Sequence, residues 1–211
     1  MRRLPVYILI QTSGSMRGEP IEAIKVGLET MVASLRHDPF ALESVHISVI
    51  TFNRSPEQIL PLTELENMQI PNIVPPVASG THLGEALDFV CQKIDSEVIL
   101  STPERKGDWM PLLFIMCNGQ ANDVQFFKKA VPKIRERHFG SIVVCLVGDR
   151  PRTENVKQFT DKIVNLSTTD GATFRQFFKW VSASISVGNR SVGATDEISF
   201  PPPPPEVHPI I

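Results

Sequence analysis

The sequence predicts an α/β protein with a doubly wound, mostly parallel central sheet of about six strands and helices on both faces. Three observations carry that expectation. Short apolar runs rich in branched residues recur along the chain. Segments with helical spacing fall between them. Strand and helix alternate, which is the order a parallel sheet requires.

The first strand is "VYILI" (6–10), a continuous apolar run of the kind buried on both faces. A helix follows, on which Ile21, Ile24, Leu28, Met31 and Leu35 recur at helical spacing between Glu22, Lys25 and Glu29. "HISVITF" (46–52) is the next strand. "EQILPLTEL" (57–65) contains Pro61, which cannot donate to a ladder, so it reads as an edge strand. Leu83, Leu87, Val90 and Ile94 mark a second helix, with Thr81 as its candidate N-cap. "PLLFIMC" (111–117) is a buried strand, and "VQFFKKAVPKIRER" (124–137) a helix disturbed at Pro132. "SIVVCLVG" (141–148), the short helix "ENVKQFTD" (154–161) and the strand "KIVNL" (162–166) come next. "TFRQFFKWVSASIS" (173–186) closes the series, and its aromatics Phe174, Phe177, Phe178 and Trp180 read as core.

This organisation places one domain over residues 1–188 and a C-terminal extension over 189–211. The five prolines of 201–205 impose an extended left-handed helix that cannot itself join a sheet. The extension reads either as a tail, free or strapped onto the domain, or as a docking segment for an aromatic-lined groove. Val207, Ile210 and Ile211 argue against plain solvent exposure.

The 211 residues are 42% hydrophobic, enough for a proper core. With 21 basic and 23 acidic residues the net charge is −2, which gives no electrostatic footprint for nucleic acid or an anionic membrane. No run approaches the roughly 18 apolar residues of a membrane span. The start "MRRLPVYILIQ" has too short an apolar run, and no cleavage site, for a signal peptide. Cys91, Cys117 and Cys145 are widely spaced and read as buried thiols. A cytoplasmic protein is expected.

Three polar clusters fall at strand ends: "QTSGSM", "ASGTHLGEAL" and "CNGQAND". In an open α/β sheet, ligands bind beyond the carboxyl ends of the strands. Ser13, Ser15, Thr81 and Asn118 are therefore expected to face one point. Their hydroxyls, with helix-start N–H groups, suit an anion or a hydrated cation. Cys117 beside His82 is a formal thiol–base pair, but the thiol closes a buried strand. No nucleophile elbow or phosphate-binding loop is present. Asp108 and Trp109 in "KGDW" read as capping or packing residues.

Together "YILIQTSGSM", "SGTHLGEAL" and "FIMCNGQ" resemble the three loops of a von Willebrand factor A domain, whose metal-ion-dependent adhesion site is written D-x-S-x-S, then a threonine, then T-D-G. "RRLPVYILI", "GEPIEAIK", "KGDWMPLLF", "FFKWVSASIS" and "PPPPPEV" extend the resemblance to the small stand-alone bacterial TerY-like proteins of tellurium-resistance clusters. The resemblance implies a Rossmann-like fold with a magnesium ion held by Ser13, Ser15 and Thr81, and by a partner's carboxylate. It also implies a non-enzymatic interaction module, partnered by the serine/threonine phosphatase and protein kinase that accompany TerY-like proteins. A face of Gln11, Ser13, Ser15, Thr81 and Asn118 would bind the partner.

The chain departs from that pattern. Gln11 stands at the first aspartate, Cys117 and Asn118 at the threonine–aspartate pair, and Asn53 where TerY-like sequences have aspartate. Each change removes a negative charge or an oxygen ligand, and magnesium commonly takes one or two carboxylates. Weak or lost magnesium binding is expected, so no cofactor is expected and magnesium is the candidate if any ion binds. The alternatives are magnesium-dependent binding completed by a partner carboxylate, deamidation of Asn118-Gly119 that restores an acid, and a hydrolase or small-anion binder in the same crevice.

Overall fold

Every residue of β1 (Leu4–Gln11) is buried, as a strand covered on both faces must be. The computed structural model describes residues 2–12, 18–74, 80–147, 151–166, 168, 170–191 and 200–210. After β1 come α1 (Glu19–Arg36), α2 (Pro39–Ser44), β2 (Val45–Phe52), β3 (Pro56–Glu64), α3 (Leu83–Glu97), β4 (Leu112–Cys117) and α4 (Val124–Glu136). The series ends with β5 (Ser141–Leu146), α5 (Thr153–Val156), β6 (Ile163–Leu166), α6 (Gly171–Ser191) and β7 (Val207–Ile210).

The strands form one seven-stranded sheet in the order β3-β2-β1-β4-β5-β6-β7. The inner five run parallel, and both edges are antiparallel. Alternation along β1 divides the core. Leu4, Val6, Ile8 and Ile10 pack towards α1 and α6, while Tyr7 and Leu9 pack towards α3 and α4. The doubly wound, mostly parallel architecture read from the sequence is present, with seven strands where about six were expected.

The seventh strand follows the prolines. Residues 201–204 stay outside the ladder, and Val207–Ile210 then pairs antiparallel with β6. Pro209 is tolerated because β7 is an edge. The approach is anchored by aromatics. Phe200 stacks on Phe114 at 6.2 Å and meets Trp180 edge-on at 6.2 Å. Trp180 Nε1 donates to the Pro201 carbonyl at 2.8 Å, and Val207 is buried. Phe200→Ala is expected to remove this anchor at a cost of about 1–2 kcal/mol, below the full range for a buried phenylalanine because the ring is only partly buried. Hydrogen exchange checks it: β7 amides lose protection while those of β1 and β4 keep theirs.

At the amino-terminal end of β1, Asp108 closes a clasp. Its carboxylate accepts from Arg3 Nε at 2.9 Å, Arg3 Nη2 at 2.5 Å and the Ile99 N–H at 2.8 Å. The Arg2 guanidinium lies 3.4 Å from the Trp109 ring centroid. Thus "RR" and "GDW", far apart in sequence, hold each other. Across the α3–α4 contact, Lys133 pairs with Asp88 and Arg137 with Asp95. Their hydrogen bonds hold both carboxyls below the usual carboxylate range. These pairs face solvent and add little stability.

No helix among the described residues is long and apolar enough to cross a membrane.

Candidate functional site

The strand order reverses direction between β1 and β4. From β1 the chain winds outward to β2 and β3, then returns to place β4 on the other side. Neighbouring connections leave in opposite directions there and open a crevice beyond the carboxyl ends. Gln11 ends β1 at that point, Asn118 follows β4, and Thr81 lies two residues before α3.

These three residues are joined by hydrogen bonds. Gln11 Oε1 accepts from the Asn118 N–H at 2.9 Å, and Gln11 Nε2 donates to Thr81 Oγ1 at 3.3 Å. The Thr81 carbonyl accepts from the Asn122 N–H at 2.8 Å. Asn118 Oδ1 accepts from the Gln120 N–H at 3.0 Å. Gln11 is 4% exposed and Thr81 5%. Ser13 and Ser15 lie outside the described residues, as does Met16.

Thr81 was expected to cap α3, and here the structure corrects the sequence. The N-cap is His82, whose side chain makes no capping bond. Asp123 does that work from the next helix: its Oδ1 accepts from Gly84 N–H at 3.2 Å and its Oδ2 from Glu85 N–H at 2.8 Å. A carboxylate at a helix start meets unpaired N–H groups and the positive end of the dipole. Asp123 is the N-cap of α4 but makes no side-chain cap there. The close crossing depends on Gly84, where a Cβ would lie 2.1 Å from the Phe127 nitrogen.

The third loop is clamped from outside. The Asn118 carbonyl accepts from Arg152 N–H at 2.9 Å, and the Gly119 carbonyl from Asn155 Nδ2 at 2.9 Å. Gly119 has φ +75°, and a Cβ there would sit 1.9 Å from the Arg152 carbonyl oxygen. With Asn118 Oδ1 also engaged, the clamp opposes the ring closure that deamidation requires. Thr12 turns inward, its hydroxyl donating to the Phe52 carbonyl at 3.3 Å.

Cys117 is 2% exposed, and burial pushes its thiol up to about 12 against a small opposing hydrogen bond from Gly119. That is the reverse of an activated nucleophile. No hydrogen bond joins it to His82 among the described residues.

The described donors do not by themselves fit a magnesium ion. The described residues around the crevice supply amide and hydroxyl oxygens, and Gln11 Oε1, Thr81 Oγ1 and Asn118 Oδ1 each already accept a hydrogen bond. The nearby carboxylate, Asp123, is committed through both oxygens to α3. A hard dication needs oxygen ligands and charge to offset +2.

A Rossmann-like sheet with three loop ends braced at its switch point defines an α/β binding domain. The chain belongs to the von Willebrand factor type A domain family, whose model matches residues 6–179. No curated protein matches the sequence. Solved structures share the fold at low identity. Proximal thread matrix protein 1 from the mussel byssus is 14% identical with a TM-score of 0.65, over 86% of this chain and 48% of that one. That protein has also been solved with a zinc-occupied MIDAS motif. The ArnB paralog VWA2 from Sulfolobus acidocaldarius is 14% identical with a TM-score of 0.60, over 87% of this chain and 45% of that one. BatB from Bacteroides thetaiotaomicron is 18% identical with a TM-score of 0.56, over 89% of this chain and 100% of that one. The chain thus spans about half the length of the mussel protein.

Proposed function

We propose that the chain is a non-enzymatic protein-interaction module of a cytoplasmic bacterial tellurite- and stress-resistance signalling system. Its partners are the serine/threonine phosphatase and the protein kinase of that system. The loop face of Gln11, Ser13, Ser15, Thr81 and Asn118 is the docking surface, and the substitutions at Gln11, Cys117 and Asn118 impair its metal site.

The observation that carries this reading is the character of the face. Its described polar groups, Gln11, Thr81 and Asn118, are cross-braced by hydrogen bonds rather than arranged around an activated nucleophile. Beside them, on the first turn of α4, Val124 and Phe126 are 51% and 57% exposed. Exposed apolar side chains next to a rigid polar cluster suit a protein partner. The family supports the coarse class, and the similarity of "RRLPVYILI", "KGDWMPLLF" and "PPPPPEV" to TerY-like sequences supports the finer one.

The test is capture of the purified phosphatase and kinase by the immobilised chain. Wild type is expected to retain at least one of them, and Ser13→Ala/Thr81→Ala to lose it. Equal capture by both forms removes the loop face from the reading. Substrate turnover by the isolated chain would favour an enzyme instead.

A further inference from the structure

Gln11 stands at the first aspartate of the resembled metal motif, and both of its polar atoms are used inside the protein. The Asn118 N–H can only donate, so the atom facing it at 2.9 Å is Oε1. That fixes the other end of the carboxamide. Nε2 faces Thr81 Oγ1 at 3.3 Å, and there it must donate. One neutral side chain thereby ties together the end of β1, the exit of β4 and the approach to α3.

Resting on the interaction-module reading of this face, we propose that Gln11 is a positioning residue that does the ion's structural work, so that the face is set without a divalent cation. Its carboxamide bridges loops that a metal site joins through coordinated oxygens. The chemistry offered to a partner changes as well. Thr81 Oγ1 accepts a hydrogen bond from Gln11 Nε2, so its own hydroxyl proton is free to point elsewhere. Asn118 Nδ2 makes no hydrogen bond among the described residues. The face therefore presents O–H and N–H donors where a metal site presents a cation. It takes an acceptor oxygen directly, a partner's carboxylate being the best-matched group because charge-assisted hydrogen bonds are the stronger ones.

The test uses the full isolated chain, so it does not depend on any partner. Failure here leaves the interaction reading standing, and failure to capture a partner leaves the positioning role of Gln11 standing. Melting is measured in EDTA and in magnesium, with calorimetric titration of manganese. Wild type is expected to melt at one temperature in both buffers and to show no saturable manganese binding. Gln11→Ala is expected to melt lower, with no rescue by either cation. Gln11→Asp and Gln11→Asp/Asn118→Asp are expected to melt lower in EDTA and to recover in magnesium, with saturable manganese binding. A purely structural glutamine would not create that cation dependence.

The proposal is overturned by a magnesium-dependent wild-type melting temperature or by saturable manganese binding to wild type. A Gln11→Ala variant as stable as wild type also overturns it, as do aspartate variants that fold and ignore cations. Should the aspartate variants fail to fold, the wild-type and Gln11→Ala arms still decide it.

Discussion

Gly119→Ala is expected to cost about 2–5 kcal/mol, combining a left-handed backbone strain of about 1–2 kcal/mol with an overpacking cost of about 1–3 kcal/mol. Two features add there. The backbone has φ +75°, a region L side chains rarely adopt, and the new methyl would lie 1.9 Å from the Arg152 carbonyl oxygen. The oxygen belongs to a backbone whose N–H is already bound to the Asn118 carbonyl, so it cannot yield without breaking the clamp. For a chain of this length the melting temperature should fall by about 4–20 °C. Gly18→Ala is the control: φ is +79° there, but among the described residues nothing lies within 4 Å of an added Cβ. Thermal unfolding of both variants separates strain from collision, with Gly119→Ala expected to lose clearly more. Equal losses would mean that the Arg152 contact carries nothing.

Asp108→Ala should rank next, at the far end of the sheet. Its side chain is 4% exposed and accepts three hydrogen bonds, two of them from Arg3. Removal leaves the Arg3 guanidinium with the Glu97 carbonyl at 2.9 Å but no carboxylate, and the Ile99 N–H without its acceptor. Breaking a fully buried pair costs about 3–5 kcal/mol. The Arg3 side chain is 28% exposed, so solvent can repay part of that. About 2–3 kcal/mol remains once that screening is allowed for. Chemical denaturation measures it, and Asp108→Asn should recover part of the loss by keeping an acceptor for Ile99. An unchanged midpoint for Asp108→Ala would show that the clasp contributes no stability. Because Asp108 lies at the opposite end of β1 from Gln11, partner capture should survive in whatever fraction stays folded.

Much of the fold was legible because its signals are local. "VYILI" reads as buried on both faces, and β1 is. Pro61 marks an edge strand, and β3 is one. What was missed depends on contacts made across the chain. β7 is four residues long, contains Pro209 and follows a proline run, so nothing local marks it as a strand; pairing with β6 and the Phe200 anchor make it one. α2 has six residues, too few for a periodic pattern.

The site divides in the same way. The meeting of Gln11, Thr81 and Asn118 follows from their places at strand ends beside the switch point. The helix cap was misplaced because its competitors are distant. Gln11 takes the Thr81 hydroxyl from 70 positions away. Asp123 reaches Gly84 and Glu85 from 39 and 38 positions away. No window of sequence contains both partners.

The most direct measurement is the affinity of the full chain for the proposed phosphatase or kinase partner, taken in EDTA and again in magnesium. The expected result is the same dissociation constant in both buffers, with binding lost in Thr81→Ala. Binding that appears only with magnesium, or that survives Thr81→Ala unchanged, would contradict a metal-free docking face built around Gln11.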